Sequence, residues 1–154
     1  MGKTPNLKYV KPAGLRFSGK ITCDDEALFS SGSIVESGLL IAPNDYLSNG
    51  SELSMNSGVK YSKIKTNVWV NNVPGSFATS FDGIIAKNYE RDFVSRGYMI
   101  VNYADGSRAT IYSATSTPTS VSELAFKILR NASVYNSLSP ANQALIDEYA
   151  GVND

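Results

Sequence analysis

The chain has 154 residues, enough for one domain with a substantial core and hardly enough for two. Its 14 Lys and Arg balance its 14 Asp and Glu, so no domain-wide positive field exists to attract phosphate backbones, and nucleic-acid binding is disfavoured. Histidine is absent and Cys23 is the only cysteine, which removes the commonest general base, the commonest zinc ligand and any internal disulfide.

Charged residues make up 18% of the chain, below the usual quarter or so, and Ser, Thr and Asn fill the gap. That exchange suits a β-protein working outside a cytoplasm. No apolar run approaches the roughly 18 residues that a membrane helix requires, so membrane insertion is not expected.

Residues 1–12, polar and broken by Pro5 and Pro12, read as an N-terminal arm. A solvated tail is its default state, and ordering on a neighbouring subunit as an added edge strand is the alternative. From Ala13 to Cys23 the pattern alternates. Leu15, Phe17, Gly19, Ile21 and Cys23 fall on one side and Arg16, Ser18, Lys20 and Thr22 on the other, as in a half-buried strand. Cys23 is in register with the core side and is read as a buried structural thiol. Asp24, Asp25 and Glu26 offer the oxygen ligands that hard cations take. Their run lacks the spacing of a calcium loop, and Glu36, Asp45 or Asp82 could join it only through folding. A solvated turn with a short helical piece is the better reading of "DDEALFSSGS", and no metal is expected.

"SGLLIAP" reads as a largely buried strand stopped by Pro43, and "NDYLSNGSELSMNSG" as a long polar connection around Leu47, Leu53 and Met55. Val59–Asn71, which contains Trp69, and Ser76–Ala86 resume the β pattern on either side of a turn at "NNVPGS". "DFVSRGYMIVNYADGSRATIYS" is a β-hairpin. With two-residue pairing across Asp105-Gly106, one face carries Tyr98, Ile100, Ala109 and Ile111. The other carries Met99, Val101, Tyr103, Thr110 and Tyr112. Both faces are apolar or aromatic, whereas a hairpin over a single core usually has a polar outer side. Three covers for the second face are open: the chain's own helices, a partner subunit, or a ligand.

From Thr119 the period changes. Ser120 and Glu123 stand at capping-box spacing, and Val121, Leu124, Ala125, Ile128 and Leu129 make one helical stripe. "SPANQALIDEYAG" adds a second helix, with Ser139 as its cap, Pro140 at its first position and Gly151 past its end. The apolar stripes of these helices need a surface, and the second hairpin face could supply it, which is the first of the three covers. The fold class is therefore mainly β: an immunoglobulin-like antiparallel β-sandwich over residues 13–118, followed by two short C-terminal α-helices within 119–154 that pack on the same domain, α+β as a whole.

Several short motifs carry a resemblance: Gly14, Arg16 and Phe17 in the first strand; Asn88, Tyr89, Arg91 and Phe93 at a corner; Arg96 and Tyr98 in the hairpin; Ser120 and Ala125 in the helix. With these marks, residues 13–130 resemble an immunoglobulin-like accessory module that recurs in modular surface and secreted proteins of Gram-positive anaerobes. The resemblance implies display outside a cell and no catalysis, and it transfers no binding residue. Similar modules occur on phage virions, whose proteins need no export signal. Met1 is followed by no signal-like apolar stretch, so two origins fit: a virion decoration or fibre-accessory protein, or a piece of a larger surface protein.

No nucleophile elbow, phosphate loop or dinucleotide fingerprint is present, so no catalytic residue and no cofactor is nominated. Trp69, Tyr61, Tyr98, Tyr103 and Tyr112 are the candidate ligand- or partner-binding residues. They could stack on sugar rings, with Asn71 or Asn72 binding hydroxyls, or serve as cross-strand and core aromatics. Asn88, Tyr89, Arg91 and Arg96 are read as a structural corner, the arginines tied to carbonyls or to acids such as Glu90 and Asp92. The expected function is non-catalytic structural or adhesion work outside the cell, on a virion or a bacterial surface protein. The partner would be a protein assembly, and self-association is possible. The alternative is a carbohydrate-binding module that takes a polysaccharide on its surface aromatics.

Overall fold

Ala13, Leu15, Phe17 and Ile21 are buried while Arg16 and Lys20 face solvent, the two-residue period of a strand with one wet face. The structure, a computed structural model, describes residues 6–21, 34–66, 69–72 and 75–152, without the side chains of Asn49 and Asn72. Cys23, the run Asp24, Asp25 and Glu26, and the helical piece expected after them lie outside the described residues.

Two antiparallel sheets pack face to face. The first has the order β1-β2-β5, from Asn6–Lys8, Ala13–Lys20 and Ser76–Ile84. The second has the order β4-β3-β6-β7. Its strands are β3 (Ile34–Pro43), β4 (Ser62–Lys65), β6 (Phe93–Asn102) and β7 (Arg108–Thr115). Leu15, Phe17 and Phe77 of the first sheet meet Leu39, Ile41, Met99 and Val101 of the second in one buried cluster. The fold is mainly β, two packed antiparallel sheets with C-terminal helices, α+β as a whole.

Where a polar arm was expected, Asn6–Lys8 forms β1 and pairs with β2 of its own chain. Leu7 and Tyr9 supply the reason, since both pack against the inter-sheet core, and Lys8 Nζ lies 3.0 Å from Asp82 Oδ1. Among the described residues of the β run expected over Val59–Asn71, Ser62–Lys65 alone forms a paired strand. β4 crosses β3 tightly at Gly38. A Cβ at that position would run into the Ile64 carbonyl oxygen and stand 2.9 Å from Lys65 Cα, so only glycine lets the two backbones meet.

The hairpin register differs by one residue from the expected one. Met99 pairs with Ile111, Tyr98 with Tyr112 and Asn102 with Arg108. The turn holds three residues, not two. Gly106 N–H donates to the Tyr103 carbonyl (3.0 Å), Tyr103 N–H donates to the Ser107 carbonyl (2.8 Å), and Gly106 sits at φ 89°. Asp105 Oδ1 fixes the bend by accepting from both Ser107 N–H (2.8 Å) and Ser107 Oγ–H (2.6 Å). A turn closed by a left-handed glycine is the three-residue hairpin geometry, and a one-residue slip turns a strand over. Ala109 and Ile111 therefore join Met99 and Val101 at the inter-sheet core, while Tyr112 joins Tyr98 and Ile100 on the outer face.

Three helices follow, not two. α1 (Val121–Leu129) starts at Ser120, whose Oγ accepts from Glu123 N–H at 3.0 Å. The Glu123 carboxylate takes the Thr119 hydroxyl (3.2 Å). α2 (Ala132–Ser137) is capped by Asn131, and α3 (Pro140–Ala150) runs from the Ser139 cap to Gly151 at φ 76°. The short α2 lacked a readable stripe in "NASVYNS", so its polar cap was its only local signal.

The helices do not cover the outer hairpin face, and that reading is corrected. Val121, Leu124, Ala125, Ile146 and Tyr149 enter the same buried cluster as the two inner sheet faces. Tyr149 meets Tyr89 edge-on with ring centroids 5.0 Å apart, and its hydroxyl donates to the Val10 carbonyl. The helices close the sandwich beside β1 and β2, where Ala13, Ile84 and Phe93 leave apolar surface that a helix stripe can bury.

Candidate functional site

The outer face of the second sheet answers the question the hairpin raised. Leu40 and Ala42 of β3, Val94 and Tyr98 of β6, and Leu53 form a second buried cluster, flanked by Leu47, Met55, Ile100 and Tyr112. Leu47, Leu53 and Met55 belong to residues 44–61, the polar connection between β3 and β4. That connection folds back over the sheet as a strap.

Directed polar contacts hold it there. Pro43 ends β3 and a 3-10 helix, Asn44–Gly50, begins the strap, with Asn44 N–H donating to the Asp92 carbonyl (2.8 Å). Arg91 donates through Nε and Nη2 to the two oxygens of Asp45, 3.1 Å each, and its guanidinium lies 5.1 Å from the Tyr46 ring centroid. These bonds hold the Asp45 carboxyl below its usual range. Arg96 donates from Nε to the Ser113 carbonyl (2.8 Å) and from Nη1 to the Leu53 carbonyl (3.3 Å), with its guanidinium 4.5 Å from the Tyr112 ring centroid. Met55 N–H donates to Tyr112 Oη (3.1 Å).

Beside the strap, β3 and β4 carry a charged network. Tyr98 Oη donates to Glu36 Oε2 at 2.7 Å, while Lys63 Nζ stands 3.0 Å from Oε2 and Lys65 Nζ 3.3 Å from Oε1. The Glu36 side chain is 19% exposed. The Tyr98 hydroxyl first, and Lys63 second, pull its pKa from 4.5 down to about 2. Burial first, then the bond to Glu36, pushes the Tyr98 hydroxyl up. Tyr98 therefore stays a donor and Glu36 an acceptor at any pH where the fold is expected to work. Lys63 and Lys65 also put charge on a sheet edge, which discourages pairing with other chains.

The five aromatic candidates do not form one exposed platform. Tyr98 is fully buried and Tyr112 half-buried, and the two make a cross-strand pair beneath the strap. Trp69 is half-buried on the other side of the sheet, packed against the inter-sheet core with its ring centroid 5.3 Å from that of Phe77. Tyr61, 36% exposed, stands where the strap meets β4, and Tyr103, 39% exposed, opens the hairpin turn. Asn71 is exposed in the bend before β5 with φ 53°; the Asn72 side chain lies outside the described residues.

At the corner, the Asn88 carbonyl accepts from Arg91 N–H (3.2 Å) and the Tyr89 carbonyl from Ser122 N–H (2.8 Å). Tyr89 is buried against Tyr149, and Arg91 and Arg96 reach outward to the strap. The acid that Arg91 binds is Asp45, not its neighbours Glu90 and Asp92. Sequence reasoning did not find Asp45, Tyr46 or Glu36 as members of this site. Asp45 and Tyr46 sit in a stretch without periodicity, and a β-bulge between Ile34 and Glu36 sets which way Glu36 points.

The carboxylates named as possible metal partners of the acidic run are engaged elsewhere: Asp45 with Arg91, Asp82 with Lys8, and Glu36 with Lys63 and Lys65. Among the described residues no three of His, Cys, Asp and Glu stand close enough to hold a metal ion, and no helix is long and apolar enough to cross a membrane. Comparisons with protein-family models, with curated proteins and with solved structures find no match to this chain. Two packed antiparallel sheets, strapped on one outer face and closed at one end by helices, are what the chain is.

Proposed function

We propose that this chain is a non-catalytic structural or adhesion module of the immunoglobulin-like type, displayed outside the cell on a phage virion or a bacterial surface protein. The strand order carries the reading. With β1 to β7 lettered A to G, the sheets read A-B-E and D-C-F-G. The constant-type immunoglobulin order is A-B-E-D and C-F-G. The two differ only in which sheet the fourth strand flanks, and sandwiches of this architecture are common in cell-surface domains. The roles of the motif residues add support: Phe17 and Ala125 fill the core, Tyr89 seats the helices, and Arg91 and Arg96 fasten the strap. These are the roles of a scaffold built to present surface.

The test is location. Antibodies raised against the folded chain should label intact virions or intact cells of the producing strain by immunogold microscopy, without permeabilisation. Label that is seen only after lysis, spread through the cytoplasm, would sink the proposal.

A further inference from the structure

The surface of the strap holds an open depression of about 420 Å³ lined by Asp45, Tyr46, Ser48, Ser51, Ser57, Gly58, Val59 and Lys60. Its volume falls in the range of roughly 300–1,000 Å³ found for small-molecule sites, and the chemistry of its wall is specific. Tyr46 is 43% exposed, and Arg91 fixes its neighbour Asp45 through both carboxylate oxygens. Ser57 Oγ is spent on the local turn, donating to the Glu52 carbonyl at 2.6 Å. Ser48, Ser51 and Lys60 are different: no hydrogen bond or ion pair engages their side chains among the described residues, and all three are exposed.

We infer that this depression is a subsite for a carboxylated sugar ring, the repeating unit of an acidic polysaccharide. An aromatic ring, two free hydroxyls and a lone ammonium around a shallow cleft match a pyranose with an apolar CH face, ring hydroxyls and one anionic substituent. The charge count selects the acidic sugar over a neutral one. Arg91 neutralises Asp45, so the Lys60 ammonium is the one charge in the depression left to be answered, and a sugar carboxylate answers it with a charge-assisted bond. Tyr46 offers the CH face a ring to lie against, and Ser48 and Ser51 exchange hydrogen bonds with hydroxyls. A cleft this open leaves most of a single ring in water, so one unit binds weakly, and useful affinity comes from many copies of the module meeting one polymer. The subsite adds a ligand to the display reading and does not depend on it, since a cytoplasmic protein could carry the same cleft.

Native affinity electrophoresis in gels containing polygalacturonate or alginate, with dextran as the neutral control and a polymer-free gel as the mobility reference, tests the assignment. The parent protein should be retarded by a polyuronate and not by dextran. Lys60→Gln should weaken the retardation about tenfold, the worth of one charge-assisted bond. Tyr46→Ala should weaken it by a similar factor, and Tyr103→Ala, an exposed tyrosine elsewhere, should leave it unchanged. Amide shifts on titration with a digalacturonate, confined to residues 45–60, would give the same answer without substitution. Absence of retardation by either polyuronate would overturn the inference. So would retardation that survives both Lys60→Gln and Tyr46→Ala, or retardation by dextran alone.

Discussion

The two faces of the second sheet are covered by different physics. Its inner face meets the first sheet and the helices in one contiguous apolar cluster that draws on both sheets, α1 and α3. Its outer face carries four fully covered residues, Leu40, Ala42, Val94 and Tyr98, beneath a loop that adds Leu53 to their cluster, and the strap is fastened by Arg91, Arg96 and Tyr112 through aimed hydrogen bonds. Apolar burial is undirected and scales with area, so the inner face is secured by many residues of which few are individually decisive in direction. Aimed bonds fix a loop whose apolar residues follow no period. The inner face should therefore fail as a unit and the outer face by degrees.

The largest expected effect breaks the inner face. Phe17 is fully buried between the sheets, and Phe17→Ala should cost about 3–5 kcal/mol. Against a total of about 5–15 kcal/mol for a domain, that shifts the urea midpoint strongly and exposes amides everywhere at once. Leu53→Ala removes the side chain that plugs the outer cluster and should cost about 2–3 kcal/mol. Hydrogen exchange should then quicken in residues 44–60 before the rest of the chain. Uniform acceleration across the molecule would mean that the strap and the inner core are one cooperative unit.

A smaller effect follows pH. The Glu36 pKa is held at about 2 against 4.5 in the unfolded chain, so its contribution is complete above pH 4.5 and is lost as pH falls from 4.5 to 2. Taken whole, the shift is worth about 3 kcal/mol, and solvent screening at a sheet edge reduces this to about 1–2 kcal/mol. Glu36→Gln should flatten that part of the acid limb in a series of urea titrations at different pH. Arg91→Ala should have the smallest effect. The global midpoint should hardly move, since exposed ion pairs contribute little, while amides of Asn44–Gly50 exchange faster. In the parent, added salt should mimic the substitution in part.

Local rules made the inner face legible. Alternation through Leu15, Phe17 and Ile21 located β2 and its buried side, and Ser120, Ser139 and Gly151 marked helix ends where caps form. Illegible features were those set by partners distant in sequence. "NYADGSR" permits a two- or a three-residue turn, and only the fit of Ile111 under the first sheet decides between them. Leu47, Leu53 and Met55 lie in a polar run without helical or strand spacing, so nothing local says that they cover Leu40 and Tyr98. Arg91 has acids on both sides of it in sequence, and it binds neither. Asn6–Lys8 looks like a tail because three residues are too few to show a period.

The strap joins two strands that are already neighbours, β3 and β4. It can therefore change length or content without altering the strand order. Closing a longer loop is inexpensive, about 0.6 kcal/mol for each doubling of its length, so chain entropy hardly constrains what stands between Pro43 and Ser62. The constraint is wetting: any replacement must keep water off Leu40, Ala42, Val94 and Tyr98. A scaffold with one such exchangeable segment, fixed at both ends and presenting its own depression, could take on a new specificity by substitution within a single loop, with the two sheets unchanged behind it.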